Sequence, residues 1–145
     1  MKKQISLLAI ICILFSCNKD EDDTILKTGI IGNWKLIEMT GNIANAEPTK
    51  GIQMPWKETY QFNANRTFQK SRDFNGVITK ASGTYKITND SNIISIELIF
   101  NNESEIVASC TPEKEYMSLQ FENVYLSNNS WSPCDGPGLK YEKIN

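Results

Sequence analysis

The sequence of 145 residues contains no histidine. It therefore has no side chain whose ordinary pKa lies close to neutrality and suits general acid–base work. Neither a Gly-rich phosphate loop nor a Gly-x-Ser-x-Gly nucleophile elbow occurs. Glu38, Glu58, Glu97, Glu103, Glu105 and Glu122 are scattered along the chain and form no evident glycosidase pair. There is no basic surplus either: 15 Lys and Arg stand against 17 Asp and Glu, which removes the electrostatic footprint of nucleic-acid binding. The longest apolar run, Ile5 to Phe15, has eleven residues, where a membrane-spanning helix needs about 20. These absences predict a protein that is not an enzyme and carries no cofactor and no metal.

Met1-Lys2-Lys3 followed by that short apolar run has the outline of a secretory signal. At its end Leu14-Phe15-Ser16-Cys17 resembles the lipobox of bacterial lipoproteins. The resemblance implies that residues 1–16 are removed and that Cys17 becomes an acylated amino terminus, with two or more chains giving stable membrane attachment. Asn18-Lys19-Asp20-Glu21-Asp22-Asp23 is similar to the lysine-plus-acids export signal of surface lipoproteins in Bacteroidota-type Gram-negative bacteria, which implies the outer face of the outer membrane. Asp23-Thr24-Ile25 also resembles an O-glycan acceptor at Thr24. Physically, residues 17–29 form an acidic spacer that stays solvated. Without residues 1–16 the chain carries 13 basic and 17 acidic residues, a formal −4. Residues 30–145 suffice for one domain, expected to be a monomer.

Once Cys12 and Cys17 are assigned to the signal and the anchor, Cys110 and Cys134 remain. In an exported domain they read as one disulfide. The rival reading is a metal site, but two thiols without histidine fall short of the four ligands of structural zinc.

From Trp34 onward the apolar residues recur at period two, and no sustained helical period is present. Strands are expected at Asn33–Thr40, Lys57–Asn63, Thr67–Asp73, Val77–Ala81 with Thr84–Thr88, Ile93–Phe100, Glu105–Cys110, Tyr116–Asn123 and Lys140–Ile144. Short polar breaks such as Asn63-Ala64-Asn65-Arg66 and Asn101-Asn102 predict an all-β, antiparallel up-and-down meander. About eight such strands can close into a barrel without exposed edges. One inward face is expected to carry Leu36, Tyr60, Phe62, Tyr85, Ile94, Ile96, Leu98, Leu119 and Phe121.

Gly32-Asn33-Trp34 at the opening of the first strand resembles the Gly-x-Trp signature of lipocalins and lipocalin-like domains. Tyr60-Gln61-Phe62, Arg66-Thr67-Phe68 and Gly83-Thr84-Tyr85-Lys86-Ile87 follow in an order similar to lipocalin-like lipoproteins. The resemblance implies that Trp34 plugs the closed end of the barrel. The last strand offers only Lys140 and Lys143 where the family has an arginine over this tryptophan.

Three segments are candidate binding elements. The first is the long loop Gly41 to Trp56. The second is the face Phe68, Lys70, Arg72, Phe74, which sets two cations between aromatics. The third is Tyr125 to Gly138, which carries Trp131 and Cys134. Expected ligand contacts are Trp56, Phe62, Phe68, Lys70, Arg72 and Trp131. The ordinary expectation for two cations is that this face meets solvent or that the strand flares at the rim. If Lys70 and Arg72 point inward instead, they meet either an anionic head group, such as that of a fatty acid lying along Phe68 and Phe62, or internal acids, for which Glu38 and Glu122 are candidates. Two functions remain open. One is a barrel enclosing a small apolar or amphiphilic ligand. The other is an interaction module for glycan or protein, with a filled core and rim aromatics. Interior volume separates them, with some 300 Å³ or more favouring the first.

Overall fold

The computed structural model describes residues 29–41, 46–90, 93–120 and 124–144. Cys17, Thr24, the acidic spacer, Phe121 and Glu122 lie outside the described residues. Nine strands follow in order: β1 Gly32–Thr40, β2 Thr49–Lys50, β3 Lys57–Phe62, β4 Thr67–Phe74, β5 Val77–Asp90, β6 Ile93–Phe100, β7 Lys114–Gln120, β8 Tyr125–Asn128 and β9 Gly138–Ile144. From β3 to β9 each strand pairs antiparallel with its successor, while β1 pairs with both β3 and β9. The result is the expected closed eight-stranded barrel, with two-residue β2 pairing with β1 on the β3 side, beyond the end of the β1–β3 ladder. Among the described residues every strand partner lies within residues 32–144.

Period-two alternation dictates which side chains fill it. In β3 the pattern is strict, with Glu58, Tyr60 and Phe62 buried and Lys57, Thr59 and Gln61 exposed. β1 breaks phase once, because the β1–β9 register shifts between Leu36 and Glu38 and leaves Ile37 as a bulge. Trp34 and Leu36 are buried before the bulge and Met39 after it. The β4–β5 hairpin turns on Asn75 (φ 53°) and Gly76 (φ 82°), the two positive φ angles a two-residue type I′ hairpin requires.

Two differences from the expected strands have local causes. Val77–Ala81 and Thr84–Thr88 are one fourteen-residue strand, whose first half pairs with β4 and whose second half pairs with β6. The changeover falls at Gly83, where a Cβ would stand 2.0 Å from the Ile99 carbonyl oxygen, so only glycine fits. The other difference is Glu105–Cys110, which is no strand but part of the β6–β7 loop. β6 pairs directly with β7, and the eighth strand of the ring is instead β8, between β7 and β9, whose inward residues are Leu126 and Asn128.

At one end Trp34 is fully buried and donates its indole N–H to the Ile30 carbonyl at 2.8 Å. Lys143 from β9 lies over its ring at 5.7 Å and donates to the Gly29 carbonyl at 3.1 Å. Burial holds the Lys143 ammonium below the usual lysine range. Lys143 thus stands over the tryptophan where the resemblance implies an arginine. Above Trp34 a run of rings occupies the interior: Tyr60 with Tyr141 at 5.2 Å, Phe62 with Tyr85 at 5.2 Å and Phe68 with Phe100 at 4.9 Å.

Candidate functional site

Toward the opposite end the interior becomes polar. Glu58 (β3), Lys70 (β4) and Glu115 (β7) have no exposed side-chain surface, and Arg72 (β4) has little. Lys70 Nζ lies 2.7 Å from Glu115 Oε1 and 3.2 Å from Glu58 Oε1. Arg72 donates from Nε to Glu58 Oε2 at 2.6 Å. Tyr141 donates its hydroxyl to Glu58 Oε1 at 2.6 Å, and Tyr60 donates to Glu115 Oε2. Asn128 adds a bond to Glu115 Oε2 at 3.1 Å. All four carboxylate oxygens are engaged, and two acids balance two cations. That is the condition under which buried charge is tolerated. Burial, reinforced by Glu115 for Tyr60 and by Glu58 for Tyr141, pushes both phenols well above the ordinary tyrosine pKa, so they remain donors.

The same cluster organises the β6–β7 loop. Ala108 donates its backbone N–H to Glu115 Oε1 at 2.6 Å, and its carbonyl accepts from Asn128 at 3.2 Å and from the Ser130 hydroxyl at 3.1 Å. The Ile106 carbonyl accepts from Arg72 Nη2 at 3.2 Å. Side chains replace the ladder that a strand would have used, while Ile106 and Ala108 are still buried. Cys110 in this loop is joined to Cys134 in the β8–β9 loop, as expected, so the two loops cover one barrel end together.

Arg72 carries the cluster outward to the rim. Its guanidinium lies 4.5 Å from the Trp56 ring and 6.0 Å from the Trp131 ring, and the two indoles are 6.4 Å apart. A Cβ on Gly136 would fall 2.0 Å from Trp131 Cγ, so this glycine leaves room for the indole. Beside them a cleft of about 250 Å³ is walled by Trp56, Arg72, Phe74, Thr79, Glu105 and Ile106. Thr79 donates to Glu105 Oε1 across it at 3.2 Å. The indole nitrogen of Trp56 is buried without an acceptor among the described residues. An unmet buried donor costs about 1–3 kcal/mol.

The expected ligand residues therefore separate into three sets. Phe62 and Phe68, 1% and 2% exposed, are packed core, not the lining of an open chamber. Lys70 and Arg72 do face inward with Phe68, and they meet internal acids. Those acids are Glu58 and Glu115. Glu38 instead lies on the outer side of β1, bonded to Lys50 at 2.9 Å. Trp56 and Trp131 are brought together at the rim. Phe62 and Phe68 pack against neighbouring rings, and among the clefts at this end the one beside the rim tryptophans is walled by Arg72 and apolar side chains. The sequence reading missed Glu58, Glu115, Asn128 and Tyr141 as a group. One signal was present for Glu58 and Glu115: they share the inward phase with Tyr60 and Phe62, and with Met117 and Leu119, respectively.

The family model described as a lipocalin-like domain matches residues 30–130. No curated protein and no solved structure gives a match.

Proposed function

The chain belongs to the lipocalin-like domain family, and from that premise we propose that it is a non-catalytic binding protein, held by acylated Cys17 on the outer-membrane surface, that takes a small amphiphilic molecule at the barrel rim. The observation that carries the binding half is the rim cleft: apolar Trp56, Phe74 and Ile106 stand beside the Arg72 guanidinium. An apolar floor with a few convergent polar groups is what a small-ligand site needs. The anchoring half rests on the lipobox resemblance at Leu14 to Cys17. The described chain enters the barrel at the Trp34 end, opposite the cleft.

Titration with a fluorescent fatty-acid analogue tests the binding half. Saturable binding is expected, weakened about tenfold or more in Phe74→Ser, since more than half of that ring is exposed and its loss leaves the core untouched. Absence of binding, or equal affinity in the variant, refutes it. For the anchor, Cys17→Ala expressed with its leader should be recovered uncut or soluble; a lipid-anchored mature product would refute that half.

A second reading is favoured by one observation. Phe74, Val77 and Ile78 at the β4–β5 tip are all more than half exposed, and Phe74 shares the rim cleft with Trp56. That surface, over a filled core, suits a glycan or protein partner, and binding to a glycan array that is lost in Trp131→Ala would establish it.

A further inference from the structure

The amino-terminal half of β5 has a neighbour on one side. Val77 to Ser82 pair with β4, whereas pairing with β6 begins at Gly83. The type I′ turn at Asn75-Gly76 makes Phe74 and Val77 a pair that exchanges both backbone bonds, so Thr79 and Ala81 also address β4. Ile78 and Lys80 therefore direct their N–H and C=O groups to the other side. Ser82, next in that series, does so too, and its carbonyl accepts the Asn101 N–H at 2.9 Å. Among the described residues Ile78 and Lys80 have no backbone partner there. The gap is spanned instead by a side-chain bond, from the Thr79 hydroxyl to Glu105 Oε1, and it opens on the rim cleft.

An open edge is a template for a further strand, and folds ordinarily shorten it, charge it or cover it. This one keeps large apolar side chains: Val77 and Ile78 are more than half exposed, as is Phe74 across the turn. Thr79 stands opposite Arg72 and shares its inward phase. A side chain placed opposite Thr79 by an added strand would thus enter the cleft walled by Trp56, Phe74 and Ile106. The residues before and after it would lie on the outer face, over Ile78 and Lys80. Lys80 has Ser71 opposite it in β4, while Asp73 stands opposite Ile78 and accepts the Gly76 N–H.

We propose that this edge binds an extended segment of a partner protein, which adds as an antiparallel strand along Val77 to Ala81, sets an apolar side chain in the rim cleft and lays an acidic one over Lys80. Spacing selects the occupant: a donor and an acceptor recurring at every second residue, roughly 7 Å apart, are matched by another extended backbone and by neither an alkyl chain nor a sugar. The main-chain bonds supply affinity and the cleft supplies side-chain preference. Glu105 is exposed and releases Thr79 to admit the strand. The inference rests on the protein-partner reading of the rim, not on the small-ligand one.

The test uses the full chain in lipid nanodiscs and a fluorescent heptapeptide of alternating valine and glutamate. A copy N-methylated at each glutamate keeps every side chain but loses the donors that face Ile78 and Lys80. Anisotropy should show saturable binding of the first peptide, about tenfold tighter than of the second, and amide exchange across residues 78–80 should slow in the complex. Ile78→Pro removes an outward N–H and leaves the β4 ladder its bonds, so it should weaken the peptide about tenfold at an unchanged melting temperature. Lys80→Glu should weaken it about threefold. Equal binding of the methylated copy overturns strand addition while the protein-partner reading stands, and failure of both peptides to bind overturns it as well. So does slowed exchange at residues 78–80 that rises with protein concentration and is indifferent to peptide, since a second copy would then be the occupant.

Discussion

Replacing Lys70 by Met removes the ammonium that bridges Glu58 and Glu115 while keeping a side chain of similar length. Each acid retains other partners: Glu58 keeps Arg72 and Tyr141, and Glu115 keeps Tyr60, Asn128 and the Ala108 N–H. Hydrogen bonding therefore survives in large part, and what changes is the charge sum of a fully buried cluster, from zero to −1. Removing one partner of a buried ion pair costs about 3–5 kcal/mol, a large share of the roughly 5–15 kcal/mol that holds a domain together. With a urea m-value of about 2 kcal/mol/M, the midpoint should fall by about 1.5–2.5 M. Equilibrium unfolding followed by tryptophan fluorescence reads this directly. The double variant Lys70→Met/Glu115→Gln restores neutrality, so its cost should be lower than the sum of the single costs by about 1–3 kcal/mol. A Lys70→Met cost under about 1 kcal/mol, or strict additivity in the double variant, would refute the view that charge balance secures this core.

Thiol labelling of unfolded, unreduced protein should find neither Cys110 nor Cys134 free, and reduction should lower stability by about 3 kcal/mol on the chain-entropy account, the two cysteines being 24 positions apart; no stability change on reduction would argue against it. Alkaline pH should also unfold the barrel. Tyr60 and Tyr141 have folded pKa values raised above the ordinary value near 10, so the unfolded chain gives up these protons first. Their contribution is intact below pH 10 and is lost as pH rises through the folded values. Tyrosinate absorbance at 295 nm should therefore show two of the five tyrosines ionising only together with the loss of the fold; early, non-cooperative titration of all five would contradict this.

Much of the barrel was legible because alternation is a local property. Ile93–Phe100 reads as a strand from its own eight letters. Lys70 and Arg72 share the inward phase of Phe68, but two cations on one face favour solvent until the acids that neutralise them are known. Glu105–Cys110 misled because its burial does alternate, yet only a ladder makes a strand, and here side chains of Glu115, Asn128, Arg72 and Ser130 hold the backbone instead. β8 was hidden for the converse reason: it is four residues long and turns a polar Asn128 inward. The acid partners of Lys70 were illegible as partners. Glu115 meets Lys70 only once the four strands β4 to β7 have curled toward one another, and no pattern along 45 residues of sequence encodes that meeting.

Closure of the ring has a consequence in time. The seam joins Asn33 to Ile144 and Leu36 to Tyr141, so the first strand made must wait for the last before it has both neighbours. Contacts of such sequence separation form late and slowly, because the chain between them must first be ordered. While the final strand is still being synthesised, the barrel has two open edges and a polar core missing the Tyr141 donor to Glu58. A chain built this way stays pliable until β9 is delivered, and only then acquires its finished shape.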